Sequence, residues 1–349
     1  MALRIALDAT YSIGDALSGV GVYSREILNG LAVTGFADAW EWFYRWHSYR
    51  VGLWVPKPPR VKARLLADTW GSRSAGLFHG LNQRLPAKRF PRQIATFHDL
   101  FVLTGNYSTP EFRARFAAQA KEAAAGAEML IAVSAFTASQ IEQLLGVPRS
   151  RIRVIHHGVT QRGFPRSKAP KPARENVVLC VGAIQRRKNQ AMLVRAFRAM
   201  PDDWTLVLAG SRGFQSAETL DAIAASPAAK RIQVTGYLTD EQLSGWYARA
   251  RIFAFPSLDE GFGMPVLEAM AAEIPVIASN TSAMPEVCGD AAELFDPHNE
   301  DQLAAALLRV ATDERRRREL VGRGRGRAQE FTWEKAVTET LAVYRELIG

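Results

Sequence analysis

The segment FPSLDEGFGMPVLEAM, residues 255–270, joins the end of an apolar strand to a helix through a polar loop that contains two glycines. Pro265 fits the first turn of a helix, where its missing N–H needs no partner. The unpaired N–H groups of such a turn attract anions, and glycines let a ligand approach the backbone closely. Because ligands bind at the carboxyl ends of the strands in doubly wound sheets, the segment predicts both such a sheet and a binding site.

Two carboxylates belong to this segment: Glu260 lies in the loop, and Glu268 lies in the helix that follows. A bound anion would repel either one, so we expect both to accept hydrogen bonds from sugar or ribose hydroxyls. The alternative is structural, since acidic side chains also favour the positive end of a helix. The neighbouring glycines favour the binding interpretation.

A second segment, VGAIQRRKN at residues 181–189, follows the first strand of the second half of the chain and opens a helix. Its three consecutive cations, Arg186, Arg187 and Lys188, can neutralise a diphosphate. A solvated run of charge is the alternative, and the position at the end of a strand favours phosphate binding.

Short apolar runs alternate with amphipathic helical stretches along the whole chain. In the first half, the runs at residues 3–9, 94–97, 129–133 and 152–155 predict strands, and the second half repeats the pattern more regularly. Such βαβ units build a parallel sheet that is covered on both faces. We therefore predict an α/β protein with two doubly wound, Rossmann-like domains facing a cleft, at residues 1–160 and 176–331, joined by an exposed linker at 161–175.

Composition agrees with a two-domain globular protein of 349 residues, of which 48% are hydrophobic and 23% charged. No apolar stretch approaches the ~20 residues that cross a bilayer. Cys180 and Cys288 lie in apolar runs, which predicts two buried free thiols and a cytoplasmic protein. Residues 1–165 hold 20 Lys and Arg against 11 Asp and Glu, so the excess positive charge lies in the first half. It indicates an anionic partner: a membrane surface, a nucleic acid or a phosphorylated substrate.

The glycine segment SGVGVY at residues 18–23 resembles a dinucleotide-binding motif only superficially. It has Ser24 where glycine or alanine is wanted, and it begins about ten residues after the first strand, whereas that motif needs a tight strand-to-helix turn. We interpret Gly19 and Gly21 as a flexible loop before a helix, able to close over phosphates from the opposite lobe.

His98 ends an apolar strand and is followed by Asp99, which can orient an imidazole. This pattern supports catalytic and structural roles equally. His79 ends another strand-like run and ranks lower, while His156 and His157 are interpreted as structural hinge residues. The sequence contains no His-Glu-x-x-His, cysteine cluster or Asp-x-Asp motif, so it supports no metal site.

Together these segments resemble glycosyltransferase family 4, whose members are retaining enzymes of the GT-B fold. The sharpest match is the family's Glu-x7-Glu motif, here Glu260 to Glu268. Weaker matches follow the same order: GVGVY at 19–23, FHDL at 97–100, RKN at 187–189 and MPEV at 284–287. One departure is Ala183, where many relatives carry arginine, so the phosphate contacts fall to Arg187 and Lys188.

The resemblance implies that Glu268 binds the donor ribose and Glu260 contacts the transferred sugar as a catalytic residue. Arg187 and Lys188 would hold the diphosphate and stabilise the leaving group. Backbone groups of four consecutive residues would support the sugar and phosphate: Gly261, Phe262, Gly263 and Met264.

For the first domain, the resemblance implies that Gly19 and Gly21 contact the diphosphate and that the catalytic His98 lies beside the reacting sugar. The anomeric configuration would be retained without a covalent intermediate, and neither a metal nor another cofactor would be needed. The final helix, within residues 332–349, would pack back on the first domain.

The form SLDEGFGMP resembles that of bacterial mannosyltransferases acting on surface polysaccharides. It favours GDP-mannose as the donor and a glycan or lipid-linked acceptor, with UDP-glucose and related donors left open. Residues 40–60 are rich in aromatic and basic side chains. They can contact anionic lipid headgroups, line an acceptor groove or pack a subunit contact. The first of these would make the protein peripheral on the cytosolic membrane face.

Three rival classes share parts of this pattern. A nicotinamide-dependent dehydrogenase is disfavoured by the misplaced Gly-x-Gly. A non-catalytic module for nucleotide sugars or nucleic acid remains open, although no known recognition motif for nucleic acid occurs and we expect none to bind. A phosphorylase or sugar-nucleotide epimerase of the same fold is not separated by spacing alone.

Overall fold

The computed structural model describes residues 2–14, 17–67, 74–159 and 173–349. The chain divides into two compact units, Met1–Gly158 with Thr332–Gly349, and Val159–Phe331. Most of the predicted linker, residues 161–172, lies outside the described residues.

Each unit is built on one parallel sheet. The first sheet contains β1 Arg4–Asp8, β2 Ala39–Arg45, β3 Val61–Leu66, β4 Leu77–Gly80, β5 Gln93–Phe97, β6 Met129–Ala132 and β7 Ile152–Val154. The second contains β8 Glu175–Val181, β9 Thr205–Ala209, β10 Ile232–Gly236, β11 Ala250–Phe255, β12 Val276–Ser279 and β13 Ala292–Phe295.

Helices connect the strands. In the first unit they are α1 Gly19–Ala32, α2 Trp46–Trp54, α3 Phe101–Thr104, α4 Pro110–Gly126 and α5 Ala135–Leu145. In the second they are α6 Gln190–Phe197, α7 Ala217–Ala225, α8 Asp240–Arg249, α9 Met264–Ala271, α10 Met284–Cys288, α11 Glu300–Thr312 and α12 Glu314–Gln329. The last helix, α13 Trp333–Ile348, belongs to the first unit.

The strand orders are β3-β2-β1-β4-β5-β6-β7 and β10-β9-β8-β11-β12-β13, with every neighbouring pair parallel. Both orders follow the Rossmann pattern, in which the connections reverse direction beside the first strand. The reversal lies between β1 and β4 in one sheet and between β8 and β11 in the other. The predicted fold class, with two Rossmann-like parallel sheets, is therefore confirmed.

Local sequence explains the helix ends. The Thr109 side chain accepts a hydrogen bond from the N–H of Phe112 at 3.3 Å, and Pro110 occupies the first turn of α4. Helix α13 packs on α1 at close range, because a Cβ on Gly30 would lie 2.4 Å from Cγ2 of Val337. The His79 ring also joins α13 to the sheet, with Nδ1 2.7 Å from the hydroxyl of Tyr344.

The aromatic and basic stretch at 40–60 is only partly a surface, contrary to the sequence-based interpretation. It forms β2, which has a neighbour on each side, and the short helix α2. Trp40, Trp42 and Tyr44 are buried in β2, so they pack the core. Trp46 and Trp54 at the two ends of α2 are 77% and 89% exposed. No helix in the described parts of the chain has the length and apolarity to span a membrane.

Candidate active site

The two central strands of the second sheet bring together the segments singled out from the sequence. Strands β8 and β11 pair in parallel, so the loops that follow them leave the same edge of the sheet at the point of reversal. The N–H of Leu258 donates to the carbonyl of Arg187 at 2.8 Å, which ties one loop to the other. This edge is where a Rossmann-like sheet binds its ligand.

Glu260 lies at the centre of a charged cluster at this edge. Its Oε2 is 3.2 Å from Nη1 of Arg187, and its Oε1 forms an ion pair with Nζ of Lys188. The Lys188 ammonium also lies 5.0 Å from the centre of the Phe255 ring. Backbone contacts fix the loop, since the N–H of Glu260 donates to the hydroxyl of Ser282 at 3.1 Å. We call Arg187, Lys188 and Glu260 the charged cluster.

The two neighbouring cations keep the Glu260 carboxyl of the charged cluster ionised. Burial raises the pKa of the Glu260 carboxyl, but Arg187 and Lys188 outweigh burial, and the pKa falls to about 2. Burial lowers the pKa of Lys188, and Glu260 counteracts that shift. Two cations and one carboxylate leave one net positive charge on these three side chains, which favours an anionic ligand.

Arg186, the first of the three predicted cations, lies apart from the charged cluster. Its side chain is half exposed and lies 4.0 Å from the Glu218 carboxylate. The short turn of Arg186–Lys188 therefore directs two consecutive side chains to the site and the third to the surface. The solvated-charge interpretation is right for Arg186.

Glu268 has a separate environment on α9. The hydroxyl of Tyr247, on α8, donates to its Oε2 at 2.7 Å. Burial raises the pKa of Glu268, while this hydrogen bond opposes the rise. Tyr247 was missed from the sequence, because it lies 21 positions before Glu268 on another helix and no local pattern marks it.

The predicted backbone site lies between β11 and α9. Gly261, Phe262 and Gly263 are buried, and Met264 begins the helix. Gly263 has a φ of +93°, and a Cβ there would lie 2.3 Å from Cε of Met284, so only glycine fits. Gly263 is therefore required where the loop joins α9.

His98 occupies a different kind of environment, in the first unit. Its Nε2 donates to the carbonyl of Leu81 at 2.9 Å, so the expectation that Asp99 orients the ring is wrong. Its ring packs edge-on against Tyr23 at 4.7 Å and lies 5.3 Å from His157. Burial lowers the pKa of His98 to about 4, so the imidazole is neutral at ordinary pH.

Two further histidines of the first unit have structural contacts. The His79 ring bridges the hydroxyls of Tyr344 and Thr96, at 2.7 Å and 2.8 Å. His157 stacks between Tyr23 and Trp333, with ring centres 4.9 Å and 5.9 Å apart. Both rings are buried, and burial lowers both pKa values, that of His79 to about 3.

The glycine segment forms the start of a helix, so the prediction of a flexible loop is wrong. Helix α1 begins at Gly19, because the Ser18 side chain caps it by accepting a hydrogen bond from the N–H of Gly21 at 3.3 Å. A Cβ on Gly21 would lie 2.8 Å from the carbonyl oxygen of Tyr11, so the glycine permits close packing. Both glycines therefore lie in the first turn of a helix, and the N–H of Gly21 is already paired with the cap.

The structure thus brings together Arg187, Lys188 and Glu260, with Glu268 and residues 261–264 on the adjoining loop and helix. His98, Gly19 and Gly21 belong to the other unit. Among the described residues, no group of three histidine, cysteine or acidic side chains is arranged to hold a metal ion.

The sequence matches two families of glycosyltransferases and a bacterial mannosyltransferase. Residues 161–327 match the family described as glycosyl transferases group 1, and residues 43–161 match the family described as glycosyltransferase family 4. The O-antigen chain mannosyltransferase B of Escherichia coli is 30% identical over 97% of this chain and 99% of its own length.

Solved structures match over both units. The sucrose-phosphate synthase of Thermosynechococcus elongatus superimposes with a TM-score of 0.79 at 22% identity, covering 99% of each chain. HepE of Anabaena, solved in complex with UDP and glucose, superimposes with a TM-score of 0.72 at 18% identity over 98% of this chain and all of its own. These likenesses show the GT-B fold predicted from the sequence.

Proposed function

The chain belongs to glycosyltransferase family 4, and from that premise we propose that it transfers mannose from GDP-mannose to a glycan or lipid-linked acceptor with retention of configuration. The observation that carries the proposal is the charged cluster at the carboxyl ends of β8 and β11. It offers two cations to a diphosphate and an ionised carboxylate to a hydroxylated sugar.

Arg187 and Lys188 would stabilise the leaving group. As the bond between the anomeric carbon and the β-phosphate oxygen breaks, negative charge develops on the nucleoside diphosphate, and fixed cations lower the energy of that state. The acceptor oxygen bonds to the same face of the sugar, and its proton passes to the departing phosphate. No side chain needs to bond covalently to the sugar.

Glu260 would position the transferred sugar. It is ionised across the physiological range, because its pKa is about 2, and an ionised carboxylate only accepts hydrogen bonds. Sugar hydroxyls are donors of that kind. Donor phosphates entering the site would compete with Glu260 for Arg187 and Lys188, which would release carboxylate lone pairs for the sugar.

Glu268 would hold the ribose, with Tyr247 as its positioning residue. The hydrogen bond from Tyr247 fixes Oε2 and leaves Oε1 to accept from ribose hydroxyls. The two lone pairs of Oε1 can accept hydrogen bonds from two hydroxyls on neighbouring ribose carbons.

His98 would act as a hydrogen-bond acceptor for the sugar. Its Nε2 proton is committed to Leu81, and its buried Nδ1 has no hydrogen-bond partner among the described residues. In this tautomer the neutral imidazole can accept a hydrogen bond from a sugar hydroxyl at Nδ1, but it has no proton there to donate. Gly19 would offer its N–H in the first turn of α1 to the phosphates. The N–H of Gly21 already donates to Ser18, so Gly21 would contribute only by letting the phosphates approach the backbone closely.

The donor base is the open part of the proposal. Similarity to a mannosyltransferase over nearly the full length supports mannose as the transferred sugar, and GDP-mannose is the donor favoured from the sequence. A UDP-sugar is the alternative, because the structurally similar HepE is described in complex with UDP and glucose. We expect no metal requirement, since Arg187 and Lys188 supply the cationic charge. Two buried free thiols, Cys180 and Cys288, are in keeping with the proposed cytoplasmic location.

Thermal stabilisation by a panel of nucleotide sugars tests the proposal, with GDP-mannose, UDP-glucose and NAD compared on the wild type and Glu268→Ala. A ligand that binds only the folded state raises Tm. We expect a shift with GDP-mannose that Glu268→Ala reduces and that a chelator leaves unchanged. A shift with UDP-glucose alone would replace the donor, and a shift with neither sugar nucleotide would contradict the proposed site.

A further inference from the structure

Helix α2 buries its small residues and exposes its large apolar ones, which is the reverse of an ordinary surface helix. The residues that it buries are small, Ser48 and Gly52. Gly52 lies flat against the Tyr44 ring of β2, and a Cβ on it would approach the ring to 2.7 Å. A surface helix normally buries its large apolar side chains against the core. Here the close approach of small residues to the sheet leaves the large side chains outside.

The exposed side chains of α2 form one apolar face. Trp46 and Trp54 are 77% and 89% exposed, and Leu53 is 50% exposed. With Arg50 they occupy positions i, i+4, i+7 and i+8, which fall on one side of a helix. Val51, 54% exposed, lies beside this face. Four of the nine exposed large hydrophobic residues in the described parts of the chain are therefore on α2.

The surroundings of this face are positively charged. Residues 42–67 contain six Lys and Arg and no Asp or Glu. Some of these cations have partners: Arg64 lies 3.4 Å from Glu41, and Lys57 donates to the carbonyl of Gly52 at 2.6 Å. Arg50, Arg60 and Lys62 are exposed. The apolar face thus carries one cation within it and others close to it in sequence.

We propose that α2 docks on an anionic lipid surface, with Trp46, Leu53 and Trp54 inserted at the level of the headgroups. Tryptophan rings favour that region, and basic side chains among them pair with lipid phosphates. A second copy of this chain fits less well, because a two-fold contact would bring identical cationic faces together. A neutral apolar partner would leave the charge of Arg50 unused.

Vesicle sedimentation tests this docking surface. The probes are vesicles of phosphatidylcholine alone and of phosphatidylcholine with phosphatidylglycerol. We expect the wild type to pellet with the anionic vesicles, and the Trp46→Ala/Trp54→Ala variant to bind them about tenfold or more weakly, because both anchors are lost. Tyr237→Ala, which removes a ring that is 52% exposed in the other unit, is the matched control and should bind as the wild type does.

Two companion measurements keep the outcome interpretable. Nucleotide binding by the double variant should equal that of the wild type, because neither tryptophan is among the residues assigned to the donor site, and an equal affinity shows that the variant is folded. Arg50→Glu should weaken binding to anionic vesicles and leave binding to neutral ones unchanged. Unaltered vesicle binding by the double variant, or equal binding of the wild type to both vesicles, overturns the proposal. A change of oligomeric state in place of vesicle binding would make a second copy the occupant.

Discussion

The two units hold buried polar clusters of opposite character. In the second unit, Glu260 is buried beside Arg187 and Lys188, and its pKa falls to about 2. In the first, the imidazoles of His79 and His98 are buried among aromatic rings and hydroxyls, and their pKa values fall to about 3 and 4. Burial with opposite charge keeps a group ionised, whereas burial without it keeps a group neutral.

The two clusters suit different parts of a transfer reaction. A cluster that keeps its charges can neutralise a diphosphate, which is the part of the donor where charge develops. A neutral cluster can only offer and accept hydrogen bonds, which suits the ordering of hydroxyls and of the fold itself. Substitutions and pH changes that act on one cluster alone should therefore have different effects in the two units.

Loss of a cation from the charged cluster should have the largest effect. In Lys188→Ala, release of nucleoside diphosphate from the donor sugar should fall about 10²–10³-fold, because the leaving group loses one fixed charge. The neighbouring Arg186→Ala is the matched control and should retain activity, since Arg186 lies at the surface. Equal losses in both variants would show that the run of charge acts without the geometry of the cluster.

A fall in pH should destabilise the first unit before the second. An unfolded histidine binds a proton near pH 6.5, whereas His98 in the fold does so only near 4, so its contribution to stability is lost as the pH falls from 6.5 towards 4. Glu260 behaves differently: its contribution is present above pH 4.5 and is lost only as the pH falls towards 2. Each of these two pKa shifts corresponds to about 3 kcal/mol in the free energy of unfolding.

Hydrogen exchange between pH 7 and 5, corrected for the intrinsic rate, checks this separation. Amides of β4 and β5 should lose protection over that range, while amides of β8 and β11 should keep theirs. Parallel loss in both sheets would mean that the histidines do not govern the stability of the first unit.

Removal of one hydroxyl from the histidine network should affect stability alone. Tyr344→Phe leaves Nδ1 of His79 without its partner, and we expect a loss of about 1–2 kcal/mol in the free energy of unfolding. Denaturant unfolding measures that loss, and a nucleotide titration of the same variant should give the wild-type affinity. A weakened affinity would give this network a part in donor binding.

The same substitution beside Glu268 should have the opposite readout. Tyr247→Phe removes the donor that fixes Oε2, so we expect nucleotide affinity to fall about fivefold, or about 1 kcal/mol. Tyr237→Phe, at an exposed position, is the control for the titration. An unchanged affinity for Tyr247→Phe would show that Glu268 needs no positioning residue.

The charged cluster could be anticipated because it follows from topology. Parallel strands end at one edge of a sheet, so the cations after β8 and the carboxylate after β11 had to lie near each other. The sequence also marked Gly263 correctly as part of the loop. The ion pair between Glu260 and Lys188 was not foreseen, because strand order does not say whether neighbouring side chains face each other or a ligand.

Other features could not be read from local pattern. Strand β2 is buried along most of its length, so the alternation that marks a half-exposed strand is missing from residues 39–45. Helix α2 exposes its tryptophans and buries Gly52, which inverts the usual rule. Gly19 and Gly21 suggested a loop, but the cap by Ser18 extends α1 over them.

Calorimetric titration of nucleoside diphosphates and monophosphates measures whether Arg187 and Lys188 bind the donor diphosphate. GDP and GMP, and UDP and UMP, are titrated into the wild type, Lys188→Ala and Arg186→Ala. We expect the wild type and Arg186→Ala to prefer the diphosphate of the bound base by about tenfold or more, and Lys188→Ala to lose most of this preference. A preference that survives in Lys188→Ala would contradict diphosphate binding by Lys188.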